Sequence, residues 1–472
     1  MTRTRCLLAL VALATVAPAG AVDAVSAWTS GQPEQPAALV VRGATIWTSG
    51  PAGVLDSADL VVRQGKVVAV GPALKAPAGA VVVDGSGLHL TPGLGDAHSH
   101  TAVDGAVNEG THISTAEVRI ADVLDPDDVG IYRQLAGGLT AANVLHGSAN
   151  AIGGQNAVIK LRWGAPAADL LFAAAPPGIK FALGENPKQS NWNVDERRYP
   201  QTRMGVEEVV RTRFQAARDY AREWAEFRGG KRKGVVPPRR DLELEALVEI
   251  LEGRRLVHAH SYRADEILML LRVAEEFSFR IATVQHGLES YKVADEIARH
   301  GAGASIFSDW WAYKYEVIDA IPWAAAIDYR RGVLTSFNSD SEELARRLNT
   351  EAAKAVRYGG VPEVDALKLV TINPARQLRI DDRVGSLEAG KDADFVLWSG
   401  HPLSTGTVCL QTWIDGRKYF DREADLAARE ALAAERAALL AKVRADAAAE
   451  KAKGKDDTKP DEPAAAPPEV TR

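Results

Sequence analysis

Residues 90–100 read Leu90-Thr91-Pro92-Gly93-Leu94-Gly95-Asp96-Ala97-His98-Ser99-His100, an apolar lead that ends in Asp-x-His-x-His. In an extended strand alternate side chains share a face, so His98 and His100 project to the same side. Two neutral imidazoles at a strand terminus make half of a site for zinc or a similar ion. On spacing alone, two half-buried polar residues on one face of an ordinary strand are the more common case. Three later segments favour the metal. Leu256-Val257-His258-Ala259-His260 offers a second His-x-His, Arg280-Ile281-Ala282-Thr283-Val284-Gln285-His286 ends in another histidine, and Val333-Leu334-Thr335-Ser336-Phe337-Asn338-Ser339-Asp340 ends in a carboxylate.

Elements that could bring these ends together follow from the intervening residues. Helix-like stretches occupy 264–277, 291–300 and 341–358, one after each of the last three strand-like runs. Short apolar strands alternating with helices imply a parallel sheet. Closed into a barrel, such a sheet gathers residues from several strands at its C-terminal face. His98, His100, His260, His286 and Asp340 all fall at such ends, and agreement of context is what gives a short motif its weight.

At this point the chain resembles the amidohydrolase superfamily of metal-dependent hydrolases. The matching pieces are Thr91-Pro92-Gly93-Leu94 with Asp96-Ala97-His98-Ser99-His100, then His260, His286 and Asp340. They continue in Thr371-Ile372-Asn373-Pro374-Ala375 and in Gly385-Ser386-Leu387-Glu388-Ala389-Gly390-Lys391-Asp392-Ala393-Asp394. The resemblance spans about 38–420, and within the superfamily the chain looks like the imidazolonepropionase-like and dipeptidase-like branch. It implies an α/β fold: a (β/α)8 TIM-like barrel with a small β-sandwich built from segments before and after it. β-branched runs at 39–47, 59–70 and 80–84, and again at 394–398 and 412–420, independently read as strands split by glycine turns.

Hydrolysis of a C–N bond needs a nucleophile stronger than neutral water, and a divalent metal supplies one by lowering the pKa of bound water from 15.7 to roughly 7. Two ions about 3.5–4 Å apart need an anionic bridge, which neutral histidines do not provide. The segment Ile179-Lys180-Phe181-Ala182-Leu183-Gly184-Glu185 holds two candidates. The resemblance favours Lys180, where related enzymes often carry a carboxylated lysine; Glu185 is anionic as it stands. The resemblance implies two divalent ions, Zn2+, with His98 and His100 on one and His260 and His286 on the other. The resemblance makes His258 a packing or supporting residue. It also makes Asp340 both metal ligand and catalytic proton shuttle. Tyr262, Arg263, Trp311, Tyr313 and Lys314 follow strand ends and are candidates for holding a substrate ring or carboxylate.

With 472 residues, 25% charged and 46% hydrophobic, the composition is that of an ordinary globular protein. A formal charge of −6 offers no electrostatic footprint for nucleic acid. Arg3 and Arg5, the apolar run 7–14 and Ala19-Gly20-Ala21 form a secretory signal pattern over 1–21. The apolar run is too short for a stable membrane anchor. Removal of that segment takes Cys6 and leaves Cys409 as the one thiol, so no intrachain disulfide is expected.

The expected domains are 38–90 and 383–420 for the sandwich, 91–382 for the barrel, with 186–253 as an insertion at its mouth that could form a lid. A helical extension over 421–453 and a disordered tail over 454–472 complete the chain. Together these readings point to an exported, periplasmic or secreted, two-metal hydrolase. Its expected substrate is a small molecule: a dipeptide, an acylated amino acid or a cyclic amide. Homo-oligomers are compatible with this reading. Its rivals are a one-metal deaminase of the same superfamily and a non-catalytic binding protein on a retained barrel.

Overall fold

The computed structural model describes residues 31–190, 192, 198–230, 236–310 and 313–456. The expected signal segment, the tail beyond 456, the Lys231-Arg232-Lys233 run and Trp311 lie outside the described residues.

The β-branched runs near the N-terminus form β1 (Ala38–Trp47), β2 (Val54–Arg63), β3 (Lys66–Gly71), β4 (Val81–Asp84) and β5 (His89–Pro92). The two-residue turn from β2 to β3 uses Gln64 and Gly65 at φ 46° and 72°, the left-handed pair that matches hairpin twist. The central strands are β6 (Leu94–Ser99), β7 (Leu139–Val144), β8 (Ile152–Gln155), β9 (Ala157–Lys160), β10 (Gly178–Ala182), β11 (Leu256–Ser261), β12 (Ile281–His286), β13 (Gly303–Ile306) and β14 (Leu334–Phe337). After them come β15 (Phe395–Trp398), β16 (Cys409–Ile414) and β17 (Arg417–Asp421).

Strands from both ends of the sequence share one eight-stranded sheet, ordered β17-β16-β15-β5-β1-β2-β3 with β4 alongside β1. Among the described residues this is a single curled sheet, not two hydrogen-bonded sheets. Its far edge returns toward the strand that it left: Val67 N–H donates to Lys391 O at 2.9 Å, and Ala393 N–H donates to Gly65 O at 2.8 Å. The curl encloses one core of Leu39, Ile46, Leu60, Leu90, Phe395 and Trp413, the last two stacked at 5.4 Å.

Central strands β10 to β14 pair in order and in parallel, while β6 and β7 form a separate parallel pair. No continuous ladder closes the ring among the described residues. The cause is local. The strands β8 and β9 turn back antiparallel on β10 and β7, and each takes the edge that a neighbouring parallel strand would use. Side chains and turns span the two seams instead. Asn156 hydrogen-bonds Asn143, whose amide reaches Ala97 O at 3.1 Å. At the other seam Asp340 N–H donates to His98 O at 3.1 Å.

Helices cover the strands. The helix Ala264–Phe277 buries Ile267, Leu270, Leu271, Ala274 and Phe277, the stripe expected at 3.6 residues per turn, and ends where Ser278 turns left-handed at φ 60°. The stretch expected over 291–300 begins as a tight turn and becomes regular only at Ala294–His300, and that over 341–358 splits into Glu342–Ala345 and Leu348–Gly359. The described residues of 186–253 do not stand apart as an insertion. Their helix Arg203–Arg228 packs Phe214 against Phe279 at 4.3 Å and against Phe277 and Phe181, so it forms the crossover from β10 to β11 and part of the wall. An apolar stripe of Val206, Val209, Val210, Phe214 and Ala217 needed a core to face, and the strands supplied it.

The sheet and the central strands are joined by buried charge. Lys160 ends β9 fully buried, with its Nζ at 2.8 Å from Asp392, 3.0 Å from Asp394 and 2.6 Å from Asp415. Burial alone would favour a neutral amine, but the three carboxylates hold its pKa above the usual lysine value. The helix Arg422–Asp456 continues from β17 and is tied at its first turn by Tyr132 Oη, which donates to Asp425 at 3.0 Å.

Candidate metal centre

Parallel strands deliver their last side chains to one end, and here that end is dense in imidazole. His98 ends β6 fully buried, His260 and His286 end β11 and β12, and Asp340 follows β14 with its side chain 27% exposed. Asp340 Oδ1 lies 3.0 Å from His100 Nε2 and 3.4 Å from His98 Nε2, while its Oδ2 lies 3.8 Å from His286 Nε2. The rings of His98 and His286 are 4.3 Å apart, and those of His286 and His260 are 4.8 Å apart. Among the described residues, His98, His286 and Asp340 bring three ligand atoms within 4.8 Å of one another. That trio crosses the expected division into a His98/His100 pair and a His260/His286 pair.

Outer contacts orient the imidazoles. His100 Nδ1 sits 2.8 Å from Leu145 O, which fixes the ring and turns Nε2 toward Asp340. His98 Nδ1 faces Gln285 Oε1 at 3.2 Å. The Gln285 amide is itself fixed by donating to Thr283 Oγ1 at 2.7 Å and Ala97 O at 3.3 Å. Buried Asp96 clamps the seam: its Oδ1 accepts from His98 N at 3.0 Å and Ser339 N at 3.1 Å, and its Oδ2 accepts from the Ser339 hydroxyl. This holds Asp340 in the left-handed region at φ 47°, a strained setting that the surroundings must enforce.

Charge states suit ligation. Burial pushes the pKa values of His98 and His260 well below the free value and brings His286 to about 3, so all three are neutral near pH 7. Burial would raise the Asp340 carboxyl, but His286, His100 and Lys180 around it hold it at about 2. Both ring nitrogens of His260 and of His286 are buried without a hydrogen-bond partner. Orphaned buried acceptors are costly, and a cation among them resolves the cost. The donor set of imidazole nitrogen and carboxylate oxygen therefore fits a divalent metal of the zinc type.

Of the two bridging candidates, the structure brings Lys180 to the histidines. Its fully buried Nζ lies 3.2 Å from His98 Nε2 and 3.2 Å from the His146 carbonyl, and burial lowers its pKa to about 7. Glu185 instead directs its carboxylate to Lys314 Nζ at 3.1 Å. His258 turns to Thr283 Oγ1 at 2.7 Å, away from the cluster.

The expected substrate contacts divide. Tyr262 is buried with its ring 4.5 Å from that of His260, and Lys314 Nζ lies 4.5 Å over the Tyr262 ring. Tyr313 packs edge-on to Tyr262 at 6.4 Å and is half exposed. Arg263 is not drawn in. It pairs outward with Asp265 at 3.0 Å, because a residue just before a helix meets that helix's first acidic side chain before anything across the mouth. The sequence reading passed over His146, although it too follows a strand end. Its Nδ1 faces Gly147 O and its Nε2 accepts from Glu109 N, both at 2.8 Å, so its side chain is spent on the wall.

The amidohydrolase family model matches residues 89–427, which include every member of this cluster. The chain belongs to the amidohydrolase family. It is 33% identical over 427 residues to amidohydrolase tasK of Hapsidospora irregularis, a match covering 81% of this chain and 43% of that protein. The chain thus spans less than half the length of that relative. It is also 34% identical to the solved structure of an amidohydrolase from Thermotoga maritima MSB8, with a TM-score of 0.74, covering 81% of this chain and 100% of that one. A 5-methylthioadenosine/S-adenosylhomocysteine deaminase of Symbiobacterium thermophilum is 24% identical over 401 residues, covering 76% of this chain and 84% of that enzyme. Among the described residues no helix is long and apolar enough to cross a membrane.

Proposed function

We propose that this member of the family is an exported, metal-dependent hydrolase of C–N bonds. The observation that carries the reading is the convergence of His98, His100 and His286 on the Asp340 carboxylate with the His260 ring 4.8 Å from that of His286, the ring nitrogens of His260 and His286 being unpartnered among the described residues. The parallel strands are the wall of a TIM-like barrel, with the seams at β7/β10 and β14/β6 bridged by side chains, and the curled sheet is its companion domain. His98, His100, His260, His286, Asp340 and Lys180 are the residues that would hold two divalent ions, Zn2+ by donor type. When bound, the ions acidify water and polarise the scissile carbonyl.

The remaining chemistry belongs to the chain's own groups. Among the described residues no carboxylate lies within ion-pair distance of the Lys180 amine. In its neutral form it attacks carbon dioxide, releases one proton and leaves a carbamate with the oxygens a bridge requires. Asp340, ionised well below neutral pH, accepts the proton of the attacking water and delivers it to the departing nitrogen. Tyr262, Tyr313 and Lys314 shape the mouth and orient a small substrate such as a dipeptide, an acylated amino acid or a cyclic amide.

Elemental analysis of gently purified protein tests the reading, with about two divalent ions per chain expected and amine release from amide substrates lost on chelation. A mononuclear deaminase is the second reading, favoured by the compact His98–His286–Asp340 trio. One tightly bound ion with full activity, accompanied by ammonia release, would establish it in place of the first.

A further inference from the structure

At the same end of the strands, but outside the histidine cluster, two buried carboxylates lean on consecutive peptide groups. Glu266, 3% exposed in the first turn of the helix after β11, accepts through Oε1 from Gly184 N at 3.2 Å. Glu316, 9% exposed after β13, accepts through Oε1 from Glu185 N at 3.0 Å. Their approach depends on Gly184, which sits at φ 82° and has no Cβ to collide with the Glu316 carboxylate. Among the described residues the second oxygen of each, Glu266 Oε2 and Glu316 Oε2, is buried without a hydrogen-bond partner. Glu185 stands beside them, 3.1 Å from Lys314 Nζ, and Glu316 Oε2 lies 3.6 Å from the same ammonium.

Two buried carboxylates with free lone pairs are expensive unless a cation faces them. Among the described residues the charges around the pair are Glu185, Lys314 and Lys188, with Asp265 beside Glu266 and Arg203 on the helix Arg203–Arg228; there the three glutamates outnumber the two lysines. Burial and the neighbouring Glu316 push Glu266 up to about 7, so an arriving positive charge would readily ionise it. A bare metal ion fits poorly, since the three glutamates do not form a ligand group of the kind His98, His286 and Asp340 make. An ammonium fits better: it donates to dispersed acceptors and tolerates an aromatic face, as Lys314 already does over Tyr262.

We propose that Glu266 and Glu316, flanked by Glu185, form a subsite for a positively charged amine of the substrate. The enzyme then acts on amides or peptides that carry a basic side chain. The inference rests on the reading of the histidine cluster as a C–N hydrolase centre. From His260 the path to the pair passes one aromatic ring and one lysine, a separation that suits an amine at the end of a long side chain. Lys314, already held by Glu185 and Glu316, is then a wall of this subsite and not the receptor of a substrate carboxylate.

Alanyl-lysine and alanyl-norleucine, alike in shape but for an ammonium in place of a methyl group, test the proposal. Metal-loaded protein should show kcat/KM at least about tenfold higher for the lysine peptide, about 1.4 kcal/mol. Glu266→Gln and Glu316→Gln should each bring that ratio toward one through loss on the lysine peptide. Calorimetry on the Asp340→Asn protein reads the same preference as binding, without turnover. A lysine peptide that binds more tightly yet is not cleaved would keep the subsite and reject hydrolysis of such peptides at the centre. Equal binding of the two peptides, no binding of either, or a lysine preference that survives in both glutamine variants would overturn the proposal.

Discussion

Asp340 meets three imidazoles from two strands, and an amide at this position would keep its shape while losing its basicity. Asp340→Asn should therefore melt within a few degrees of the parent and lose roughly 10²–10⁴-fold in turnover, the usual span for general acid–base catalysis. Circular dichroism and steady-state kinetics check the two halves separately, and a loss of only a few-fold would assign proton transfer to another group. Lys180 makes a sharper case. Buried between His98 and the His146 carbonyl, it has no ion pair to lose among the described residues. Lys180→Ala should strip the metal and the activity together, with partial return of both on adding a short carboxylic acid such as propionate. Glu185→Gln should retain the metal by elemental analysis, because that carboxylate is spent on Lys314. The reverse order of severity would make Glu185 the bridge.

Between β13 and β14 the helix Ala324–Arg330 carries Asp328, fully buried, with one oxygen accepting from Ser290 Oγ at 2.5 Å and the other unpartnered. Burial raises its carboxyl to about 7, against 3.8 when exposed. The folded protein thus keeps the proton over a range where the unfolded chain has released it. This group's contribution to stability is fully present below about pH 4 and is lost as pH rises through about 7. Asp328→Asn should flatten that decline, so melting temperatures of the two proteins should differ less at pH 5 than at pH 7.5. A parallel pair of curves would show that Asp328 is ionised throughout.

Across the whole molecule, the sheet and the central strands meet at Lys160, whose ammonium serves Asp392, Asp394 and Asp415 together. Removing the cation leaves three carboxylates facing one another at the junction. Lys160→Met should cost about 3–5 kcal/mol, as expected for breaking a buried ionic cluster by deleting one partner. Guanidinium unfolding followed by tryptophan fluorescence would register it, and because Trp398 and Trp413 lie in the sheet, a two-step transition would show the two parts uncoupled. A change under 1 kcal/mol would mean that solvent already screens the cluster.

Much of this was written locally. Alternation placed His98 and His100 on one face, the apolar run of β11 carried His260 to a strand end, and the stripe over 264–277 specified a helix to the residue, because period and capping depend on near neighbours. The residues of the cluster were legible for the same reason: each lies at or just beyond a strand end, His98 and His100 at the same one. What lies between strands was not. Whether β8 and β9 would fold back and open the ring, whether the stripe over 204–224 would face the core or the mouth, and whether Arg263 would turn inward all depended on partners distant in sequence. Glu185 shows the limit most plainly: next to Gly184 it reads as a ligand, yet Lys314, 129 positions on, claims it. The unpartnered oxygens of Glu266 and Glu316 likewise exist only because the fold buried them. Burial and pairing are properties of the packed chain, and there the tertiary structure alone decided.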